Sequence, residues 1–322
     1  MKLLVGGGLS LLLVMPFRLF GQKKDTGKIP DPLRVGVSLG IKDITAEKMA
    51  YVKDVGISCV NISLNPLVDK AGNIDMSDDS IRILVMDAKK AVESAGITVS
   101  AFHMPFGQYM DPSLIDERAR QKVVAIDEKL LQLCAPLKPA VVLFHPSWFL
   151  TLNQREQHIS QFVKSAVALH KPVEAMDAII VIENMTGPKL HVEWKGVEYE
   201  RPLCRTVSET LDIMNRLPKD IYAAVDMNHI LHPEKLVVAL GGRLRFIHVS
   251  DGDGEHEYHY YPCSGKGMND WTAIIGALYE AGYKGPFMFE CHYKDLKDLA
   301  PCYNFLYNQY VLQTYIKPEY AE

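Results

Sequence analysis

Eight short apolar runs recur along this chain, each separated from the next by a stretch of helical length, and this alternation restricts the fold more than any other feature. The runs are LRVGVSL (33–39), ISCVNISL (57–64), ITVSAFH (97–103), AVVLFH (140–145), AIIVIEN (178–184), IYAAVD (221–226), LRFIHVS (244–250) and PFMFE (286–290). They are rich in Val, Ile and Phe and apolar on both faces, as buried parallel strands are. Amphipathic helices are expected around 45–55, 78–95, 113–135, 153–170, 205–217, 233–240, 269–282 and 295–314. Glycines in DVGI (54–57), AGI (95–97) and AGYKG (281–285) suit left-handed helix stops. Eight strand–helix pairs over about 290 residues predict a single (β/α)8 barrel. The alternative is a doubly wound open sheet, which would usually carry a Gly-rich phosphate loop after its first strand; VSLGIKD has one Gly there.

In a barrel of this kind the carboxyl ends of all strands converge on one mouth. Four of the later runs end in acidic or imidazole residues: Glu183, Asp226, His248 and Glu290. Three carboxylates and one imidazole, with no Lys or Arg among them, call for a divalent cation to neutralise them. For each the competing role is structural: a salt bridge for Glu183, for which only Arg245 stands nearby and at the wrong end of its strand, and a satisfied core histidine for His248. Asp226 and His229, three apart in DMNH, can both point inward; His103 and His145 end strands three and four and are followed by Pro, which turns them toward the mouth. Long connections at 185–204 and 251–268 emerge on the same face, where they would cover a substrate. Within the second, the His256, His259, Glu255 and Glu257 tract reads mostly as solvated surface.

The composition bears on partners. Net charge is −4 with no basic tract in the mature region, which argues against nucleic acid. Lys2, the apolar run LLVGGGLSLLLVMPF and the small residue in Phe20-Gly21-Gln22 read as a signal peptide over residues 1–21, followed by a polar linker over 22–32 and the barrel domain over 33–322. An uncleaved anchor is the rival, but Arg18 shortens the run below the roughly 20 residues of a spanning helix. The expected location is therefore exported, periplasmic or secreted, with no stable membrane span after cleavage. Six dispersed cysteines show no CxxC, and buried thiols are expected for most of them, with some pairing open in an exported chain.

Taken in order, IEN (182–184), DMNH (226–229), HVSD (248–251), GKGMNDW (265–271) and FE (289–290) make the chain resemble the xylose-isomerase-like barrels, over about residues 33–314. That family includes sugar isomerases, sugar epimerases and the endonuclease IV type of apurinic-site nuclease. The resemblance implies that Glu183, Asp226, His248 and Glu290 hold one divalent cation and that Glu183 and Glu290 double as acid–base residues. It also implies that His229 touches substrate or an outer metal. The nuclease branch uses three zinc ions and expects an Asp-x-His pair upstream of Gly-x-Gly; the stretch aligned with it here reads His259-Tyr260-Tyr261, which removes most of the third site.

The expectation that follows is a metal-dependent isomerase or epimerase of sugars or sugar acids. It would abstract a proton next to a carbonyl through an enediolate, with the two glutamates as acid and base. Oxygen-rich ligands favour Mn2+ or Mg2+, with Zn2+ or Co2+ as alternatives. His103, His145, His229, Trp148 and Lys266 are the candidate substrate-binding residues, with Phe106, Trp148 and Trp194 as an apolar wall for a small carbohydrate. An endonuclease IV-like phosphodiesterase and a non-catalytic carbohydrate-binding barrel are the alternatives. A homo-oligomer is left open.

Overall fold

A computed structural model describes residues 27–316, apart from the side chain of Trp194. The expected signal peptide and the first part of the linker lie outside the described residues. In chain order the strands are β1 (Val35–Gly40), β2 (Cys59–Ser63), β3 (Thr98–His103), β4 (Val141–Phe144), β5 (Ile179–Glu183), β6 (His191–Trp194), β7 (Val197–Glu200), β8 (Tyr222–Asp226), β9 (Leu244–His248) and β10 (Phe287–Phe289). Eight of them form one parallel sheet in the order β10-β1-β2-β3-β4-β5-β8-β9. A parallel bridge between Val249 and Phe289 joins the two ends, with Val249 N donating to Met288 O at 2.7 Å and Glu290 N to Val249 O at 3.1 Å. The sheet thereby closes, and the expected (β/α)8 barrel is the fold.

The helices α1 (Ala46–Asp54), α2 (Asp78–Ala95), α3 (Glu117–Cys134), α4 (Arg155–Glu174), α5 (Val207–Arg216), α6 (Pro233–Leu240), α7 (Trp271–Glu280) and α8 (Leu299–Val311) fall where the apolar periodicity puts them. Their starts follow from local chemistry. The side chains of Thr45, Ser77, Asp116, Thr206 and Asp270 each accept a hydrogen bond from the backbone N–H three residues on, and each such cap contributes about 1 kcal/mol. Helix α2 stops at Gly96, which takes a left-handed φ of 65° that a Cβ would strain.

Alternation along the strands creates two cores. Most of the apolar side chains pack between sheet and helices, while Cys59, Ala101, Val141, Leu143, Val181, Ala224, Phe246 and Met288 fill the barrel interior. Gly36 belongs to the inner set, because a Cβ there would stand 2.5 Å from Met288 Cε and 2.9 Å from Cys59 Sγ. Two residues further along each strand, the same inward row turns polar: Ser38, Asn61, His103, His145, Glu183, Asp226, His248 and Glu290. One residue from every barrel strand joins this ring.

The β5–α5 connection, expected as a loop, contains the antiparallel hairpin β6–β7. Lys195 and Gly196 take positive φ of 52° and 75° in succession, the two-residue turn that matches strand twist. The hairpin is tied to the β4–α4 loop by Leu150 N donating to Glu200 O at 2.8 Å. The end of the expected linker is also held: Tyr279 Oη donates to Asp31 O at 3.0 Å, and Tyr307 Oη to Pro30 O.

The cysteines divide. Cys59, Cys134 and Cys204 are buried thiols and Cys291 is half-buried, whereas Cys263 and Cys302 form a disulfide that ties the β9–α7 loop to α8. It closes a sequence separation of 39, a constraint worth about 4 kcal/mol on the chain-entropy account. A Cys302→Ser variant should melt about 5–10 °C lower than the wild type. Dithiothreitol should lower the wild-type Tm to meet it while leaving the variant unmoved; equal melting in all samples would remove the disulfide from any stabilising role.

Candidate metal centre

Glu183, Asp226, His248 and Glu290 meet at the barrel mouth, each offering a ligand atom within 4.8 Å of the others. His248 Nδ1 lies 2.6 Å from Glu183 Oε1 and 2.8 Å from Glu290 Oε2, so one imidazole edge is bracketed by two carboxylates from strands on either side. Asp226 Oδ1 accepts from Asn228 N at 2.6 Å and Ser250 Oγ at 3.0 Å. Asp226 Oδ2, fully buried, has no hydrogen-bond partner, and Glu183 Oε2, equally buried, has only the His145 imidazole at 3.0 Å beside it. No Lys or Arg pairs with Glu183 among the described residues; Arg245, the one nearby candidate, sits over the Tyr222 ring at 4.6 Å. Buried carboxylate oxygens left without donors are costly, and a divalent cation is the partner this donor set fits.

Electrostatics agree with the geometry. Burial works against a proton on His248, yet the Glu290 and Glu183 carboxylates outweigh it and hold its pKa well above the usual imidazole value. Burial likewise opposes Glu290, but the His248 charge beside it brings its pKa down to about 2. Glu183 is held well below the carboxylate range against burial, by His248 and His145. For Asp226 burial prevails and raises the pKa. The carboxylates are thus balanced by protons on imidazoles, and a bound cation would displace those protons.

Two further groups flank the first and share its carboxylates. His103 and His145 gather on Glu183, with His145 Nε2 3.0 Å and His103 Nε2 3.7 Å from Oε2. Burial and the adjacent His145 lower the His103 pKa to about 4. On the other side, His229 and His259 gather on Asp226, at 3.9 and 3.8 Å from Oδ2. Glu257 Oε2 bridges them, 3.0 Å from His229 Nε2 and 2.9 Å from His259 Nε2, and Thr186 Oγ1 donates to its other oxygen. Burial opposes protonation of His259, but Asp226 and the Glu257 hydrogen bond push its pKa up to about 9.

This third group corrects two expectations. The acid-x-His pair is present as Glu257-Tyr258-His259, two residues earlier than the aligned stretch, so the donors of a third site are not lost. The expectation of solvated surface holds for His256, exposed and paired with Asp253 Oδ2 at 2.7 Å, and for Glu257, which is exposed although it bridges the two histidines; His259 is drawn into the site and Glu255 is half-buried, paired with Lys189 Nζ at 2.6 Å.

Above the acids lies a cleft of about 690 Å³ lined by His103, His145, His229, Trp148 and, from the rim, Arg201 and Glu257. Phe106 stacks on His145 at 4.4 Å between ring centroids. Lys266 does not reach this cleft: it is exposed on the loop, its ammonium 5.8 Å above the Tyr260 ring. Sequence reasoning passed over Ser38 and Asn61, which complete the ring; Ser38 Oγ donates to Glu290 Oε1 at 3.1 Å, and Asn61 Nδ2 reaches Ser38 Oγ at 2.9 Å. The motif residues outside the four-residue group brace the site. Asn184 Oδ1 accepts from Asp226 N at 2.8 Å, Asp251 Oδ2 accepts from Trp271 Nε1 at 2.9 Å, and Asn269 Nδ2 donates to Met227 O at 3.0 Å.

Comparison with known proteins agrees with this architecture. The E. coli 3-keto-D-glucoside 4-epimerase superposes with a TM-score of 0.63 at 14% identity, over 86% of this chain and 98% of its own. A D-tagatose 3-epimerase-like protein gives 0.65 at 18% identity, over 85% and 99%. The D-psicose 3-epimerase of Clostridium cellulolyticum H10 gives 0.64 at 17%, over 86% and 96%. At such identities the likeness is one of fold. No curated protein matches the chain by sequence. Residues 49–304 match the family model described as xylose isomerase-like TIM barrel, and to that family this chain belongs.

Proposed function

We propose that the chain is a divalent-metal-dependent isomerase or epimerase of a sugar or sugar acid. The observation that carries this reading is the bracketing of His248 by Glu183 and Glu290, two carboxylates that open into one cleft beside Asp226. A cation held by Glu183, Asp226, His248 and Glu290 would supply Lewis acidity to a substrate's carbonyl and neighbouring hydroxyl, with Mn2+ or Mg2+ suited to the oxygen-rich set and Zn2+ or Co2+ as alternatives. Both glutamates are held ionised, so either can accept a proton from the carbon next to the carbonyl. Inversion of that carbon requires the opposite glutamate to take up a proton from solvent first and return it to the other face; delivery of the abstracted proton to the adjacent carbon instead exchanges aldose and ketose. His103, His145 and His229 face the space where hydroxyls would lie, and Phe106 and Trp148 offer a wall to the sugar's C–H face. The names of the structural neighbours, sugar epimerases, support the same class.

Export to a periplasmic or extracellular space belongs to this proposal. The Cys263–Cys302 disulfide supports it, since such bonds persist chiefly in oxidising compartments. No helix of the described residues is long and apolar enough to cross a membrane.

A metal-dependent phosphodiesterase is the second reading, favoured by the two flanking donor groups that share Glu183 and Asp226. Against it, Arg201 is the single Arg or Lys among the cleft-lining residues, little to hold a polynucleotide backbone. Elemental analysis separates the two: one tightly held cation per chain is expected, and two or three, with hydrolysis of a phosphodiester, would favour the alternative.

Incubation in D2O with Mn2+ and a panel of ketoses should place deuterium at the carbon next to the carbonyl of the true substrate; binding without exchange would point to a non-catalytic barrel. Glu290→Gln, which retains an oxygen ligand, should lose about 10²–10⁴ in turnover. Full turnover in a metal-loaded Glu290→Gln protein would exclude the acid–base role.

A further inference from the structure

The histidines around the site differ in what faces the nitrogen turned away from the acids. His103 Nδ1 lies 2.9 Å from Met104 O and His229 Nδ1 2.8 Å from Asn184 O. A backbone carbonyl can only accept, so in these two rings Nδ1 carries a proton and Nε2 is directed inward. His248 is reversed: Nδ1 faces Glu183 and Glu290, and Nε2 faces no carbonyl but the side chain of Asn61, with Asn61 Nδ2 3.2 Å away. Asn61 is fully buried, and its Oδ1 has no hydrogen-bond partner.

This arrangement is consistent only with a bare Nε2, which could accept from the amide. It is inconsistent whenever Nε2 carries a proton, both in an imidazolium bracketed by the two carboxylates and once Nδ1 is given to a cation. Two donors would then confront each other between fully buried side chains. A half-turn of the amide about Cβ–Cγ removes the conflict and gives the orphaned Oδ1 its partner. In that orientation Oδ1 also faces Ser38 Oγ, whose proton it can take in place of Glu290 Oε1, leaving that oxygen unencumbered.

We propose that Asn61 is the positioning residue that sets the tautomer of His248, presenting its amide oxygen to Nε2–H so that Nδ1 is available to a divalent cation. This rests on the metal reading above and adds a residue outside the ligand set. Hydrogen-bond partners of ligating histidines typically alter metal affinity about 10–100-fold.

Two variants separate the roles. Asn61→Leu keeps the approximate size and removes all hydrogen bonding, whereas Asn61→Asp keeps an acceptor and removes the donor. Chelator-stripped proteins, checked by thermal melting, are titrated with Zn2+ by calorimetry, and imidazole nitrogens of the loaded proteins are observed by 15N NMR. Asn61→Leu should bind about 10–100-fold more weakly, with Asn61→Asp close to wild type. A slowly exchanging His248 Nε2–H should be seen in wild type and Asn61→Asp and lost in Asn61→Leu. Leu binding like wild type, or Asp falling as far as Leu, would overturn the assignment. If Asn61→Leu does not fold, the wild-type spectrum decides, since Nε2 without a proton is incompatible with the proposal. Failure of the wild type to bind Zn2+ would instead sink the metal reading itself.

Discussion

Carboxylates sunk into the mouth of an apolar barrel, answered only by imidazoles, set the terms for the upper half of this molecule. Each ion taken out of water costs several kcal/mol unless it is paired. Among the described residues Glu183, Asp226 and Glu290 have no Lys or Arg to pair with, and the protons drawn onto His248, His229 and His259 are the charge that remains available. A protonated imidazole satisfies one or two oxygens at most, and Asp226 Oδ2 stays without a donor. The site is therefore built around a positive charge that side chains do not supply in full.

That unfavourable electrostatics is tolerated because these side chains stand on strands whose positions are set elsewhere. The inner apolar row beneath them and the helix–sheet core around them supply the burial free energy. Cross-strand braces then hold the ligand bearings: Asn184 clamps the Asp226 backbone from both sides, and Asp251 ties the end of the β9 strand to α7 through Trp271. The hairpin β6–β7 and the β9–α7 loop form the rim, and the loop that delivers Glu257 and His259 is the one anchored to α8 by the disulfide. Rigid floor and fastened rim together make a cleft whose polar groups are oriented before any ligand arrives.

The strands and helices were legible because burial on both faces of a parallel strand leaves a plain apolar run, and amphipathic helices leave a 3.6-residue rhythm. The candidate ligands at the ends of β5, β8, β9 and β10 were legible because an acid or histidine closing such a run is out of place without a task. Asn61 and Ser38 escaped notice although the same count of two finds them, one step above Cys59 and Gly36, because a small neutral residue in a strand raises no charge imbalance to explain. Glu257 and His259 escaped for the opposite reason: in a loop crowded with acids and histidines, composition does not distinguish inward from outward side chains.

What the chain determined by itself was the order of elements, the parity of each strand and therefore which residue of each run faces inward, since these depend on local periodicity and on burying apolar surface. The tertiary structure alone decided the rest. It fixed which oxygens lie within reach of which ring nitrogens, brought Glu257 across to His229, joined Cys263 to Cys302 and left Lys266 outside. Those outcomes depend on barrel closure and on loop paths, where the separations that matter are a few ångströms between residues up to 252 positions apart, as for Ser38 and Glu290. No local pattern encodes such distances, because they are set by the summed packing of every strand in between.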